Sequence, residues 1–181
     1  MKFRTLRADE IDCRIATVKT NGVSLLLYKD ARCDMNILDE SVGPMAWERM
    51  HSRDNANCTV SIWNNDLGLG VSKPDTGTES FTEKEKGLAS DSFKRACFNW
   101  GIGRELYTAP FIWIPSDKCN IKPSGRKDNY GKDILTCYDK FLVEQIIYNE
   151  NKVIVALSIR NVTKKQRVYV FDNRPKEEAK N

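Results

Sequence analysis

The stretch from Thr82 to Trp100, closed by Gly101-Ile102-Gly103, constrains the fold more than any other part of the chain. At 100° per residue Leu88, Ala89, Phe93, Ala96, Cys97 and Trp100 share one broad apolar face, so a helix over 83–100 must lay that face on a sheet. Thr82 or Ser80 supplies the N-cap, Glu83 and Glu85 suit the positive end of the dipole, and the two glycines release the chain. The outward side carries Lys84, Asp91, Lys94, Arg95 and Phe98. A core-packing helix ordinarily leaves that side to charges, so an aromatic ring set among cations there calls for a reason.

What the helix lies on is read from the strands before it. Residues 11–18 and 23–28 are β-branched or apolar runs split by Thr20-Asn21-Gly22, and Asn-Gly is the strongest short hairpin signal. Tyr28 to Arg32 either ends that hairpin or leads straight into a helix capped by Asp30. Over 31–42 the spacing of Met35, Leu38 and Val42 is helical, and Gly43-Pro44 forces the stop. Strands are predicted at 47–53, 58–64 and 68–71, with Asn55-Ala56-Asn57 and Asn64-Asn65-Asp66 as turns, which makes an antiparallel meander. The polar run 73–80 is then a loop into the long helix. After it come a strand at 111–114, a long loop over 115–132, strands at 140–148, 153–161 and 166–171, and a charged tail over 172–181. The fold class is α+β: an antiparallel sheet with a long helix packed on it, plus additional C-terminal strands between 133 and 171. A chain of 181 residues is expected to form one domain, here 1–171.

Several chemistries lack their residues. The six cysteines are scattered without a Cys-x-x-Cys pair and His51 is the only histidine, so neither a zinc site nor a disulfide framework is expected. His51 lies in a polar strand with no nucleophile motif beside it, and reads as an exposed strand histidine. Gly68-Leu69-Gly70-Val71-Ser72 has neither dinucleotide spacing nor a Gly-Lys-Ser/Thr phosphate loop, so no nucleotide cofactor is expected. Asp75, Glu79, Glu83 and Glu85 are the carboxylates a metal-dependent nuclease would need, yet a loop and a first helical turn are where acids serve as caps. The expectation is no enzyme, no cofactor and no metal. No apolar run has the length of a membrane span and the first ten residues lack a signal-peptide core, so a cytoplasmic protein is expected, in a bacterial host if phage-encoded.

Binding to a polyanion fits better. Lys and Arg total 29 against 25 Asp and Glu, and the 115–132 segment alone has five basic residues to two acidic, so the excess is local. Single-stranded nucleic acid is held by cations that track phosphates and by rings on which bases stack. Lys94, Arg95 and Phe98 offer both on one helix face; Lys84 shares that face, and Arg32, Lys73, Arg126 and Lys127 add cations elsewhere. The alternatives are that Lys94 and Arg95 are merely solvated while Phe98 meets a neighbouring element, or that the basic loop makes the chain an RNA- or protein-binding module.

Thr82 to Ala96 followed by Trp100-Gly101-Ile102-Gly103 resembles the signature helix of the Rad fifty-two single-strand annealing proteins. Arg32, Leu38 and Val42-Gly43-Pro44 before Trp47 resemble an upstream block of that family, and Gly70-Val71-Ser72 falls where the family has the same tripeptide. Gly103-Arg104-Glu105-Leu106-Tyr107 resembles its bacteriophage branch, and the likeness runs over about 25–115. The resemblance implies a β-β-β-α core that assembles into homo-oligomeric rings, binds single-stranded DNA in an outer groove and anneals complementary strands without ATP in recombination or repair. It also implies a single-stranded-DNA-binding protein as a possible further partner. By position it gives Lys94 and Arg95 to the groove helix, Arg32 and Val71 to the groove lining, and sets Phe98 where eukaryotic members have an arginine.

Overall fold

Turn chemistry recurs often enough along this chain to cut it into short antiparallel strands with two helices among them. The computed structural model describes residues 1–78 and 84–175. In chain order the elements are β1 (Asp12–Lys19), β2 (Gly22–Tyr28), α1 (Ala31–Val42), β3 (Trp47–Ser52), β4 (Asn57–Asn64), β5 (Leu69–Thr76), α2 (Lys84–Asn99), β6 (Ile112–Pro115), β7 (Ile121–Lys127), β8 (Asp133–Cys137), β9 (Phe141–Tyr148), β10 (Ile154–Asn161) and β11 (Gln166–Asp172). Every strand pair is antiparallel, and the class is α+β. Among the described residues no helix is long and apolar enough to cross a membrane.

The chain divides into two units: Met1–Thr5 with Lys29–Arg104, and Leu6–Tyr28 with Glu105–Asn181. In sequence the Lys29–Arg104 part of the first is an insertion between β2 and β6 of the second, which unbroken reading along the chain does not reveal.

In the inserted unit the sheet order is β3-β4-β5. Strand β4 alternates, burying Cys58, Val60 and Ile62 while Thr59 and Ser61 face the other way. Asp30 caps α1 by accepting from the Cys33 amide at 2.9 Å, and Gly43, at φ 86°, ends it in a backbone region that favours glycine. Helix α2 has sixteen residues, an ordinary rather than a long helix. The caps expected for it, Thr82 or Ser80, lie outside the described residues. Phe93, Ala96 and Cys97 are fully buried, the Phe93 ring stacks on Trp47 at 6.0 Å, and the Trp100 indole donates to the Val60 carbonyl at 3.0 Å. Burying a side chain of Phe93's size contributes roughly 1.5–3 kcal/mol.

Two expectations are corrected here. Strand β5 runs to Thr76 rather than stopping at Val71, so Lys73, Pro74 and Asp75 are strand residues. Pro74 is tolerated because β5 is an edge strand and needs no further donor on its open side. The segment 115–132 is not one long loop: β7 pairs with β8 as a hairpin, and Asp128 ties its turn by accepting from the Tyr130 and Lys132 amides, both at 2.9 Å.

The other unit is a six-stranded sheet in the order β11-β10-β9-β1-β2-β6. Its inward residues include Val23, Leu25, Ile112, Ile114, Val143, Leu157 and Ile159. The sheet curls until its edges approach, and the Tyr169 hydroxyl donates to the Phe111 carbonyl at 3.2 Å. The hairpin between β1 and β2 forms, but its two-residue turn is Thr20-Asn21, and neither has a positive φ. Gly22 is already the first strand residue, paired with Lys19. The tail expected from 172 begins within β11, and its residues 176–181 lie outside the described residues.

Candidate nucleic-acid interface

The middle of α2 is set against the end of β5 by a close approach at Gly77, just past the strand. A Cβ on Gly77 would lie 2.6 Å from the Ser92 backbone nitrogen, so strand and helix touch there at backbone distance. Next to this contact the Thr78 amide donates to Asp91 at 2.9 Å. Farther along α2, Asn99 donates through Nδ2 to the Pro74 carbonyl at 2.9 Å and to Asp75 at 3.1 Å. These ties fix which side of α2 faces outward.

Four of the expected residues gather at that side. Arg95 is half-exposed, at 51% for its side chain, and its Nε lies 3.3 Å from the Asp75 carboxylate. Phe98 is half-buried, with the Arg104 guanidinium 5.4 Å above its ring centroid. Lys73 reaches from β5 to donate to the Asn99 carbonyl at 3.0 Å, and its ammonium stands 4.5 Å over the Trp100 ring. Lys94 is half-buried, and its charge is one of the effects that lower the Asp34 carboxyl of α1.

No protein-family model, curated protein or solved structure matches this chain.

Arg104 is the residue the sequence reading left without a role. Its Nε donates to the Phe98 carbonyl at 2.7 Å and its Nη2 to the Asn99 carbonyl at 2.9 Å. With Lys73 it satisfies the last carbonyls of α2, which carry the negative end of the helix dipole. A cation just past a Gly-x-Gly helix stop is the signal that points to it.

Arg32 is 83% exposed and pairs with Asp30 at 2.7 Å. Burial would raise the Asp30 carboxyl, but the Cys33 amide and Arg32 outweigh it, and its pKa lies below the usual carboxylate range. Val71 is half-buried in β5, registered against Ile62. The Lys84 side chain lies outside the described residues. Arg126 and Lys127 belong to the exposed end of the β7–β8 hairpin, in the other unit.

Of the carboxylates weighed for a nuclease, Asp75 alone has a described side chain. Asp75 is engaged by Arg95 and Asn99. Glu79, Glu83 and the Glu85 side chain lie outside the described residues. Among the described residues no three His, Cys, Asp or Glu side chains are placed together to hold a metal. His51 is half-buried rather than exposed, 3.4 Å from the Ser92 hydroxyl, and burial followed by the charge of Arg49 lowers its pKa. None of the six cysteines is in a disulfide, and burial pushes the Cys58 and Cys119 thiols up to about 11, away from thiolate chemistry.

Beneath this surface lies a polar pair that no sequence signal announced. Lys29 and Asp34 are both buried and bonded to each other, with the second Asp34 oxygen unpartnered.

Proposed function

We propose that this chain binds single-stranded DNA and anneals complementary strands without ATP, as a homo-oligomer acting in recombination or repair. The observation that carries the reading is the outward side of α2, where Lys94, Arg95 and the half-exposed ring of Phe98 share one helix face, Arg104 stands over that ring, and Lys73 reaches the end of the helix. The resemblance to the Rad fifty-two annealing proteins supports it, with β3-β4-β5 and α2 as the β-β-β-α core of that family. Phe98 offers a ring face to a base, and Arg95 and Lys94 offer charge to phosphates.

The chemistry suits annealing more than tight capture. A few cations that hold phosphates, without base-specific contacts, leave base edges free for repeated trial pairing. Each copy contributes a weak site, and an assembly of copies multiplies them. A monomer with a formal charge of only +4 is then basic enough.

The test is Lys94→Ala with Arg95→Ala, titrated against a fluorescent oligothymidylate. Affinity in low salt is expected to fall about tenfold or more, and the slope of log affinity on log salt to shrink by about two. Unchanged affinity in a protein of unchanged mass and circular dichroism would remove the reading. Asp75→Asn has the opposite expected sign, since it releases Arg95 and removes a carboxylate from the phosphate path. Binding should tighten by up to about fivefold, the scale of an exposed ion pair.

A second reading has its own observation. The β7–β8 hairpin exposes Arg126 and Lys127, and Lys122 stands 5.4 Å over the ring of Tyr138, a surface that suits an RNA or an acidic protein. Competition distinguishes the two: structured RNA or a protein displacing the oligothymidylate more readily than unlabelled single-stranded DNA favours the hairpin module.

A further inference from the structure

The outer face of the β1-β2-β6 part of the six-stranded sheet carries groups that its own fold does not use. Strand register sets them in rows: Pro115 beside Gly22 beside Lys19, then Trp113 beside Ser24 beside Thr17, with Leu26 beside Arg14 beyond. Side chains alternate across a strand, so the burial of Val23, Leu25, Ile112 and Ile114 puts Phe111, Trp113, Leu26, Arg14 and Lys19 on the opposite face. The Phe111 and Trp113 rings are stacked, 6.3 Å between centroids and 17° between planes. Phe111 is nevertheless 77% exposed and Leu26 61%. Among the described residues the Arg14 and Lys19 side chains have no ion-pair or hydrogen-bond partner, although Asp12 stands on the same face.

We infer that this face is a second contact for single-stranded nucleic acid, a stacking platform in which a base lies on Phe111 while phosphates pass over Arg14 and Lys19. The cations sit two strands in from the aromatic edge, about 10 Å, so a strand lying across the sheet meets both kinds of group. Charge selects this occupant. Two cations without an ion-pair partner, about 10 Å from an exposed ring, fit a polyanion that carries flat rings, whereas a second copy of the same face would bring the same two cations against them. The inference takes its ligand from the proposed function but uses other residues, in the other unit.

The experiment is photocrosslinking of the full chain to an oligothymidylate carrying 5-iodouracil, with the crosslinked peptides mapped by mass spectrometry. Crosslinks are expected in the peptide holding Phe111 and Trp113, and Phe111→Ala should weaken binding roughly 5- to 100-fold, the scale of one stacked base. Phe111 is exposed, so its truncation leaves the fold intact, which circular dichroism checks. Crosslinks confined to α2, with Phe111→Ala binding as wild type, overturn the platform and leave the annealing reading standing. Crosslinks at 111–113 that persist in the Lys94→Ala, Arg95→Ala protein, with no loss of affinity there, support the platform while removing the α2 reading. A change in oligomeric mass with unchanged affinity in Phe111→Ala assigns the face to contact between copies and overturns the inference.

Discussion

Asp34→Ala is expected to destabilise the inserted unit by about 3–5 kcal/mol, the cost of leaving one member of a buried ion pair without its partner. Asp34 is fully buried in α1 and holds the buried Lys29 ammonium. Lys29 in turn lies against Gly103 so closely that a side chain there would meet it. Removing the carboxylate leaves a buried ammonium without its partner. Burial raises the Asp34 carboxyl to about 6 from its ordinary 3.8, against the lowering effects of Lys29 and Lys94. The sign follows from linkage. A carboxyl raised in the folded state holds its proton more tightly there, so the stability it adds is fullest below the unfolded value and is lost as pH rises through about 6. Asp34→Asn, a neutral mimic of the protonated acid, should cost less and should flatten that pH dependence. Urea unfolding at acidic and at neutral pH, followed by near-ultraviolet circular dichroism, measures both. A wild-type midpoint for Asp34→Ala, or an unaltered pH profile for Asp34→Asn, would remove this account.

That pair also marks where sequence reading ends. The α2 face was legible because Phe93, Ala96 and Cys97 recur at helical spacing, and periodicity survives in any fold that buries one side of a helix. The outward position of Lys94, Arg95 and Phe98 followed from the same arithmetic. Their partners did not, because Asp75 meets Arg95 and Asn99 only once β5 is known to run through Pro74. Proline, lysine and aspartate in succession are loop chemistry, and only the edge position of β5 makes them a strand. The β7–β8 hairpin was hidden in the same way behind Pro123, Gly125 and Gly131. Asn21-Gly22 signalled its hairpin correctly and the turn residues wrongly. The pairing of Asp12 with Leu142, across an inserted unit, leaves no local trace at all. Nor does alternation in 111–114 say which face of that short strand stays open, which is why Phe111 was read as a strand start and nothing more.

Gly22→Ala is expected to destabilise the six-stranded sheet by about 3 kcal/mol, the upper part of what overpacking costs. The Asn-Gly signal suggests a glycine kept for turn conformation, and on that view alanine at a strand position should be mild. The geometry argues otherwise. A Cβ on Gly22 would lie 2.6 Å from Cζ2 of Trp113 and closer still to the Ile114 carbonyl oxygen. Trp113 could swing outward, but the carbonyl belongs to the β6 backbone, and β6 is held to β2 only over Gly22 to Leu25. Relief therefore requires β6 to move off the edge of the sheet, taking Ile112 and Ile114 out of the core. The Trp113 ring also loses the flat backbone on which it rests. Thermal unfolding should shift down, and the emission of Trp113, isolated in a Trp47→Phe, Trp63→Phe, Trp100→Phe background, should move to the red. A Gly22→Ala protein with the parent melting temperature and unshifted emission would mean that β6 yields without cost, and that the indole is not seated on Gly22.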